Sequence, residues 1–238
     1  MTIQTTMHDQ LAALRAETSA YDTKRFLEFA INRVFSGQIA VVSSFGSESV
    51  VMLHHVAQID PTVPVLFLNT GKLFGETLRY RDRLQDVLGL TDVRGIGPHP
   101  LERDTTDPDG TLYSRDPDGC CHLRKVLPLG RALGAFKASI TGRKRFQTEA
   151  RSLLSRIDLA DGRFSFNPLV EWNQAELARY IEEHRLPVHP LVSDGYLSIG
   201  CLPCTRRVRA GENYRSGRWA GFEKEECGMH PGLDGDGI

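Results

Sequence analysis

Short apolar runs alternate with helix-period segments from residue 38 to residue 184, and this alternation restricts the fold more than any other feature of the chain. Residues 38–43 form an apolar run between Gly37 and Gly46. Residues 63–68, 92–96 and 138–140 read as three further strands. The spacing predicts helices over 7–15, 23–35, 47–58, 75–88, 121–133 and 173–184. Strands separated by helices must run mostly parallel, so the expected fold is α/β, with a doubly wound, mostly parallel sheet. Ligands of such sheets bind where strands end at their carboxyl edge. Attention therefore falls on residues 43–49, 69–71 and 141–151, each following a strand. The stretch 104–119, rich in Asp, Gly and Pro, reads as a surface loop. Beyond Leu186 the pattern turns irregular and Arg-rich, as expected of a tail lying over the site rather than a second hydrophobic domain. The organisation expected is an N-terminal helical segment (1–36), an α/β domain (37–190) and a C-terminal tail (191–238).

Composition narrows the functional classes. At 238 residues, with 40% hydrophobic and 25% charged residues, the chain can build one sizeable core. A net charge of −1 argues against nucleic acid as a partner. No apolar stretch nears the roughly 20 residues of a membrane span, and no basic-then-apolar leader is visible, so no membrane association and a cytoplasmic location are expected. Cytoplasmic thiols stay reduced, and disulfides are the lesser expectation for the five cysteines.

The first loop is Ser43-Ser-Phe-Gly-Ser-Glu-Ser49. Gly46 permits a sharp turn, the serines offer hydroxyls, and a helix N-terminus follows, which together suit an anion such as phosphate or sulfate. An ordinary serine-capped turn has the same spacing. Leu68-Asn-Thr-Gly71 would lie beside it, and Thr141-Gly-Arg-Lys-Arg-Phe-Gln-Thr-Glu-Ala-Arg151 concentrates cations after another strand.

The cysteines divide four plus one. Cys120 and Cys121 sit together at a helix start that Asp118 could cap, while Cys201 and Cys204 have the two-residue spacing of metal ligands. One zinc ion needs four thiolates in a tetrahedron. Adjacent helical cysteines diverge by about 100 degrees, which suits the wider 4Fe–4S cube better. Lys125 lies one helical turn after Cys121 and on its face. Cys227 stands apart in Glu225-Glu-Cys-Gly-Met-His230. Its acidic neighbours disfavour the thiolate, so a nucleophilic Cys227 needs cations from elsewhere. Arg206, Arg207, Arg209, Arg215 and Arg218 precede it and His230 follows.

These segments resemble the assimilatory adenylyl-sulfate reductases, within the phosphoadenylyl-/adenylyl-sulfate reductase family. The resemblance runs from Gln38 to His230. It rests on Ser44-Phe-Gly-Ser-Glu-Ser49, Leu68-Asn-Thr-Gly71, Thr141-Gly-Arg143, Gly195-Tyr196, Gly200-Cys-Leu-Pro-Cys-Thr205, Gly211-Glu212, Arg215-Ser-Gly-Arg-Trp219 and Glu226-Cys-Gly-Met-His230. It implies an adenine nucleotide alpha hydrolase-like fold of the ATP-pyrophosphatase type. It also implies that Cys227 attacks adenosine 5′-phosphosulfate to give S-sulfocysteine and AMP, with thioredoxin or a glutaredoxin-like donor releasing sulfite. It assigns a 4Fe–4S cluster to Cys120, Cys121, Cys201 and Cys204, and adds Lys125 and His230 to the catalytic set. The substrate set it implies is Ser44, Phe45, Gly46, Ser47, Glu48, Ser49, Asn69, Thr70, Gly71, Gly142, Arg143, Arg215 and Arg218. Relatives acting on the 3′-phosphorylated nucleotide generally lack both cysteine pairs, so the unphosphorylated one is preferred here. A homo-oligomer is compatible with the sequence. Three departures stand out: Asn69 replaces the usual Asp, residues 219–221 replace a longer aromatic run, and Met229 replaces Leu. The alternatives are a reductase of the 3′-phosphorylated nucleotide, an ATP-pyrophosphatase-type tRNA thiolase and a zinc-stabilised nucleotide-binding module.

Overall fold

The computed structural model describes residues 6–224 and 226–229. Its centre is a six-stranded sheet in the order β3-β2-β1-β4-β6-β5. Strands β1 (Ile39–Ser43), β2 (Val65–Leu68) and β4 (Ala138–Thr141) are buried at every residue. Such unbroken apolar runs are what strands covered by helices on both faces require. Strand β3 (Val93–Ile96) is at the edge and partly exposed. The β1, β2, β3, β4 and β6 ladders are parallel, with Val41 opposite both Val65 and Ile140.

Strands β5 (Ile157–Ala160) and β6 (Arg163–Phe166) were not among the sequence expectations. They pair antiparallel across Asp161-Gly162, both at positive φ. An Asp-Gly pair at positive φ is the preferred two-residue hairpin turn. This dipeptide was the available signal.

Helices α1 (Met7–Glu17), α2 (Thr23–Glu28), α3 (Ser49–Ile59), α4 (Gly75–Leu88) and α9 (Gln174–Glu183) fall within a few residues of their expected positions. Helix α2 continues as a π-helical turn, Phe29–Val34. Gly89 takes the left-handed conformation that ends α4, and Asn173 with Glu176 forms a capping box on α9.

The expected loop at 104–119 is instead largely helical. Helices α5 (Pro100–Thr106), α6 (Leu112–Arg115) and α7 (Pro117–Cys121) occupy it. One buried pair ties the segment to the interior: the Asp107 carboxylate, fully buried, accepts from Arg124 Nη2 at 2.6 Å and from the Leu112 amide at 2.8 Å. Helix α7 runs through a π-helical turn, His122–Val126, into α8 (Leu127–Leu133).

The chain moves outward through β1, β2 and β3 and then returns to place β4 on the other side of β1. Neighbouring strands thereby diverge in connection at the β1/β4 boundary, the switch point where such sheets open a crevice. The loops after β2, β1 and β4 lie side by side above it. No helix in the described residues is long and apolar enough to cross a membrane.

Candidate active site

A cleft opens at that switch point. Ser44, Gly46, Ser47, Glu48 and Ser49 line it from the β1 loop, Thr70 from the β2 loop, and Gly142, Arg143, Lys144, Gln147 and Arg151 from the β4 loop. Lys125 enters from the turn after α7. Ser198, Cys201, Tyr214, Arg215, Arg218, Trp219, Glu226, Cys227 and Met229 close it from the C-terminal side.

The β1 loop turns through Phe45, whose φ is +50°. That left-handed turn drives the Phe45 ring into the core, edge-on to Phe67 at 5.2 Å. Phe45, one of the expected substrate set, is thus a packing residue whose side chain does not line the cleft. Ser47 is drawn to the C-terminal segment: its hydroxyl donates to the Leu197 carbonyl at 2.7 Å and lies 3.3 Å from the Tyr214 hydroxyl. Glu48 accepts from Lys144 Nζ at 2.6 Å and from Gln147 Nε2 at 2.8 Å, so its carboxylate holds a buried cation. Burial pushes the Lys144 ammonium down, and Glu48 counters this.

Asn69 and Gly71 lie exposed and do not line the cleft; Asn69 Oδ1 accepts from the Gly71 amide. Thr70 does line it, with Oγ1 3.2 Å from Cys201 Sγ. Arg124 fixes this loop by donating to the Thr70 carbonyl at 2.8 Å.

Arg143 is buried, but its guanidinium turns toward Thr141 (3.0 Å), Ser165 (3.3 Å) and Asp158 (3.5 Å). Burial pulls its pKa down to about 10, Asp158 opposing. Of the five arginines before Cys227, Arg215 and Arg218 face the cleft. Arg206 pairs instead with Glu212 at 2.7 Å, and Arg207 and Arg209 are exposed. Arg215 is also brought down to about 10, first by burial and then by Arg218 and Arg151 beside it. Arg218 packs so closely on Gly200 that a Cβ there would lie 2.2 Å from its Nη2.

The C-terminal segment is tied down by pairing. Leu73 bridges Cys201 and Thr205 bridges Arg218. The Leu202 amide donates to the Lys72 carbonyl at 2.8 Å, and the Trp219 amide to the Cys204 carbonyl at 3.0 Å. Trp219 takes φ +47° and is buried. Its ring packs with Cys121 and Cys227. Arg218 lies 4.4 Å from the ring centre, with Lys125 and Lys224 each at 5.6 Å. A ring face surrounded by cations gains from cation–π attraction, most where water is excluded.

Cys120, Cys121, Cys201 and Cys227 are buried and Cys204 is half-buried. Burial pushes the Cys120 thiol up to about 11, with Cys121, Cys201 and Cys204 adding to the rise and Arg124 opposing it. Cys121 and Cys204 are raised for the same first reason. Burial alone would lower the Lys125 ammonium, but Cys227, Cys201 and Cys121 reverse this and hold it above its ordinary range. Cys120, Cys121, Cys201 and Cys204 thus lie in one neighbourhood. Among the described residues, no three His, Cys, Asp or Glu side chains converge on a position for a single metal ion.

The acidic residue before Cys227 is neutralised in place. Glu226 accepts from Arg151 Nε and Nη2, both at 2.6 Å, and from Thr148 Oγ1 at 3.2 Å. Arg215 lies 3.8 Å away. Burial opposes this ionisation, yet these cations hold the Glu226 carboxyl below its usual range. Lys144, Gln147, Arg151 and Tyr214 escaped the candidate set, although the first three sit in a loop whose cations were visible. His230 lies outside the described residues. The lining counts six cations against two carboxylates, an excess suited to a multiply charged anion.

Comparisons with known proteins bear on this arrangement. Residues 38–207 match the phosphoadenosine phosphosulfate reductase domain. The chain is 48% identical over 204 residues to the adenosine 5′-phosphosulfate reductase of Mesorhizobium japonicum, covering 86% of this chain and 80% of that one. It is 39% identical to the reductase of the same name from Mycolicibacterium smegmatis, covering 92% and 91%. Among solved structures, the phosphoadenylyl-sulfate reductase of Candida auris, a phosphate complex, superposes with a TM-score of 0.71 at 24% identity, covering 87% of this chain and all of that one. The FMN adenylyltransferase of Candida glabrata shares the fold more loosely, with a TM-score of 0.53 at 14% identity and coverage of 86% and 69%.

Proposed function

The chain belongs to the phosphoadenosine phosphosulfate reductase family, and from that premise we propose that it reduces adenosine 5′-phosphosulfate to sulfite and AMP in sulfate assimilation. The substrate is the one named for its 37–48% identical relatives. The observation that carries the reading is Cys227 itself. It is a buried thiol against Trp219 and Cys121, on the wall of an arginine- and lysine-lined cleft that also contains the serine loop.

A thiolate approaching a phosphosulfate meets like charge. Preorganised cations offset that repulsion and stabilise the charge arriving on the departing phosphate. Lys125, Arg215 and Arg218 are the cations disposed for this, with Ser44, Gly46 and Ser49 on the phosphate side. The Cys227 sulfur bonds to the sulfate sulfur as the S–O bond to phosphate breaks, releasing AMP and leaving S-sulfocysteine. A dithiol donor of the thioredoxin class then attacks the Cys227 sulfur and expels sulfite. Its second thiol resolves the mixed disulfide and returns Cys227 reduced, so the donor supplies both electrons. Arg143 is kept here as a support of the β4 loop, since its guanidinium is engaged by Thr141, Ser165 and Asp158.

Cys120, Cys121, Cys201 and Cys204 would hold a 4Fe–4S cluster. The reading is supported by their mutual proximity, Cys120 feeling the charges of Cys121, Cys201 and Cys204, and by the soft character of an all-sulfur set. The cluster would supply a fixed negative charge that keeps Lys125 cationic beside Cys227. A cytoplasmic location and action without nucleic acid or membrane complete the proposal.

The test is anaerobic purification with iron and sulfide assay, then mass spectrometry after addition of each nucleotide, with and without the 3′-phosphate. A sulfo group on Cys227, formed faster from the unphosphorylated nucleotide, is expected. Cys227→Ser should abolish sulfite release while binding persists. Label on another cysteine, or turnover by an iron-free chain, overturns the reading.

A further inference from the structure

We infer that Glu226 is a positioning residue whose carboxylate, clamped by Arg151, fixes where Cys227 sits in the cleft. This rests on the role proposed above for Cys227. Among the described residues, no backbone hydrogen bond joins 226–229 to the sheet domain. Cys227 packs on Trp219 and Met229 on the α8 side of the sheet, but apolar contacts set depth rather than direction. The directional hold is the two-pronged ion pair, with both Glu226 oxygens on Arg151 at 2.6 Å and each side chain no more than 10% exposed. Two parallel charge-assisted hydrogen bonds define orientation as well as distance.

The clamp is continuous with the phosphate loop. Arg151 Nη1 donates to Gln147 Oε1, Gln147 Nε2 donates to Glu48 Oε2 at 2.8 Å, and Lys144 Nζ reaches the same oxygen at 2.6 Å. One chain of polar groups, buried except for the half-buried Glu48, therefore runs from the loop proposed to hold phosphate to the residue before the nucleophile. A carboxylate beside a thiol that must ionise is unfavourable on its own. Paired with a guanidinium, it imposes little charge on the thiol and keeps its geometric hold. Removing one partner leaves the other only its weaker contacts, Thr148 and Arg215 for Glu226 and Gln147 for Arg151, and loosens the segment.

The experiment measures access to Cys227 in the full-length, cluster-loaded protein without nucleotide. Iodoacetamide labelling rates at the Cys227 peptide are read by mass spectrometry for wild type, Glu226→Gln, Glu226→Ala, Arg151→Met and the Glu226→Ala/Arg151→Met pair. A clamp predicts faster labelling in both single-site classes, by about tenfold for the loss of a charge-assisted pair, with the double variant no faster than the faster single. Glu226→Gln is isosteric and retains one acceptor, so it should fall between wild type and Glu226→Ala. A purely electrostatic influence gives opposite signs, since losing the carboxylate speeds labelling and losing the guanidinium slows it. Opposite signs, or unchanged rates in both, overturn the proposal. The readout needs no nucleotide, so a failure to form sulfocysteine would remove the proposed reaction without deciding the clamp.

Discussion

Gly200→Ala would move a cleft-lining arginine, Arg218, without altering it. Gly200 does not use a left-handed backbone, so alanine imposes no dihedral cost there. A Cβ at that position would lie 2.2 Å from Arg218 Nη2 and 2.4 Å from Cζ, where ordinary contact begins at 3.4 Å. The guanidinium must therefore retreat by about 1 Å, a displacement that can cost on the order of 100-fold in a positioned site. It cannot retreat freely, because it is stacked 4.4 Å above the Trp219 ring and its Nε is buried. Loss of the stacking costs about 0.5–2 kcal/mol. Loss of a charge-assisted contact to the nucleotide costs about 1.5–3 kcal/mol. The expected result is a KM for adenosine 5′-phosphosulfate raised roughly 10- to 100-fold, from the second of these energies. The assay is sulfite release over a nucleotide series, with calorimetric affinity alongside. Arg218→Ala should match it, and Gly200→Ala/Arg218→Ala should be no worse than Arg218→Ala. Wild-type KM and affinity in Gly200→Ala would refute the reasoning, because either the contact or the arginine's role would then be absent.

Asp107→Ala should strand Arg124 in the interior and cost about 3–5 kcal/mol, lowering Tm by roughly 10 °C for a chain of this size; a change under about 2 °C in a thermal melt would contradict the burial of this pair. Acid should destabilise the fold through His55 and His189, each pushed down to about 4 chiefly by burial. The folded chain refuses protons that the unfolded chain accepts from pH 6.5 downward, so this stability is complete above pH 6.5 and is lost toward pH 4. At pH 5 each histidine would have cost about 2 kcal/mol, measurable as a lowered urea midpoint. His55→Phe should flatten that slope, since His55 stacks on Tyr180 at 4.7 Å with both ring nitrogens unpartnered. An unchanged slope would contradict the assignment.

The elements that could be read from sequence are those whose signal is local. Strands β1, β2 and β4 are apolar without interruption because both sheet faces are covered, and that run length is visible in the residues themselves. Helix α4 is bounded by Gly75 and Leu88 as the spacing predicts, with Gly89 as its stop. The signal of the β5–β6 hairpin is equally local, in Asp161-Gly162. The segment 104–119 was not legible by composition, since its polar residues look solvated until Arg124 arrives to bury Asp107. Phe45 shows the same limit at one residue: its motif suggests a ligand contact, while its +50° backbone sends the ring toward Phe67.

By itself, the amino-acid sequence determined the sheet class, the carboxyl-edge loops and the division of the thiols into four and one. Each follows from residue types and from spacings of a few positions. Tertiary structure alone decided which charges remain available at the cleft. Glu226 reads as a hindrance to Cys227 until Arg151, 75 residues away in sequence, neutralises it. Arg143 lines the cleft, but Thr141, Ser165 and Asp158, the last two distant in sequence, set which way its guanidinium turns. Electrostatic pairing depends on distance in space and on exclusion of water, and neither is encoded in the separation between two letters.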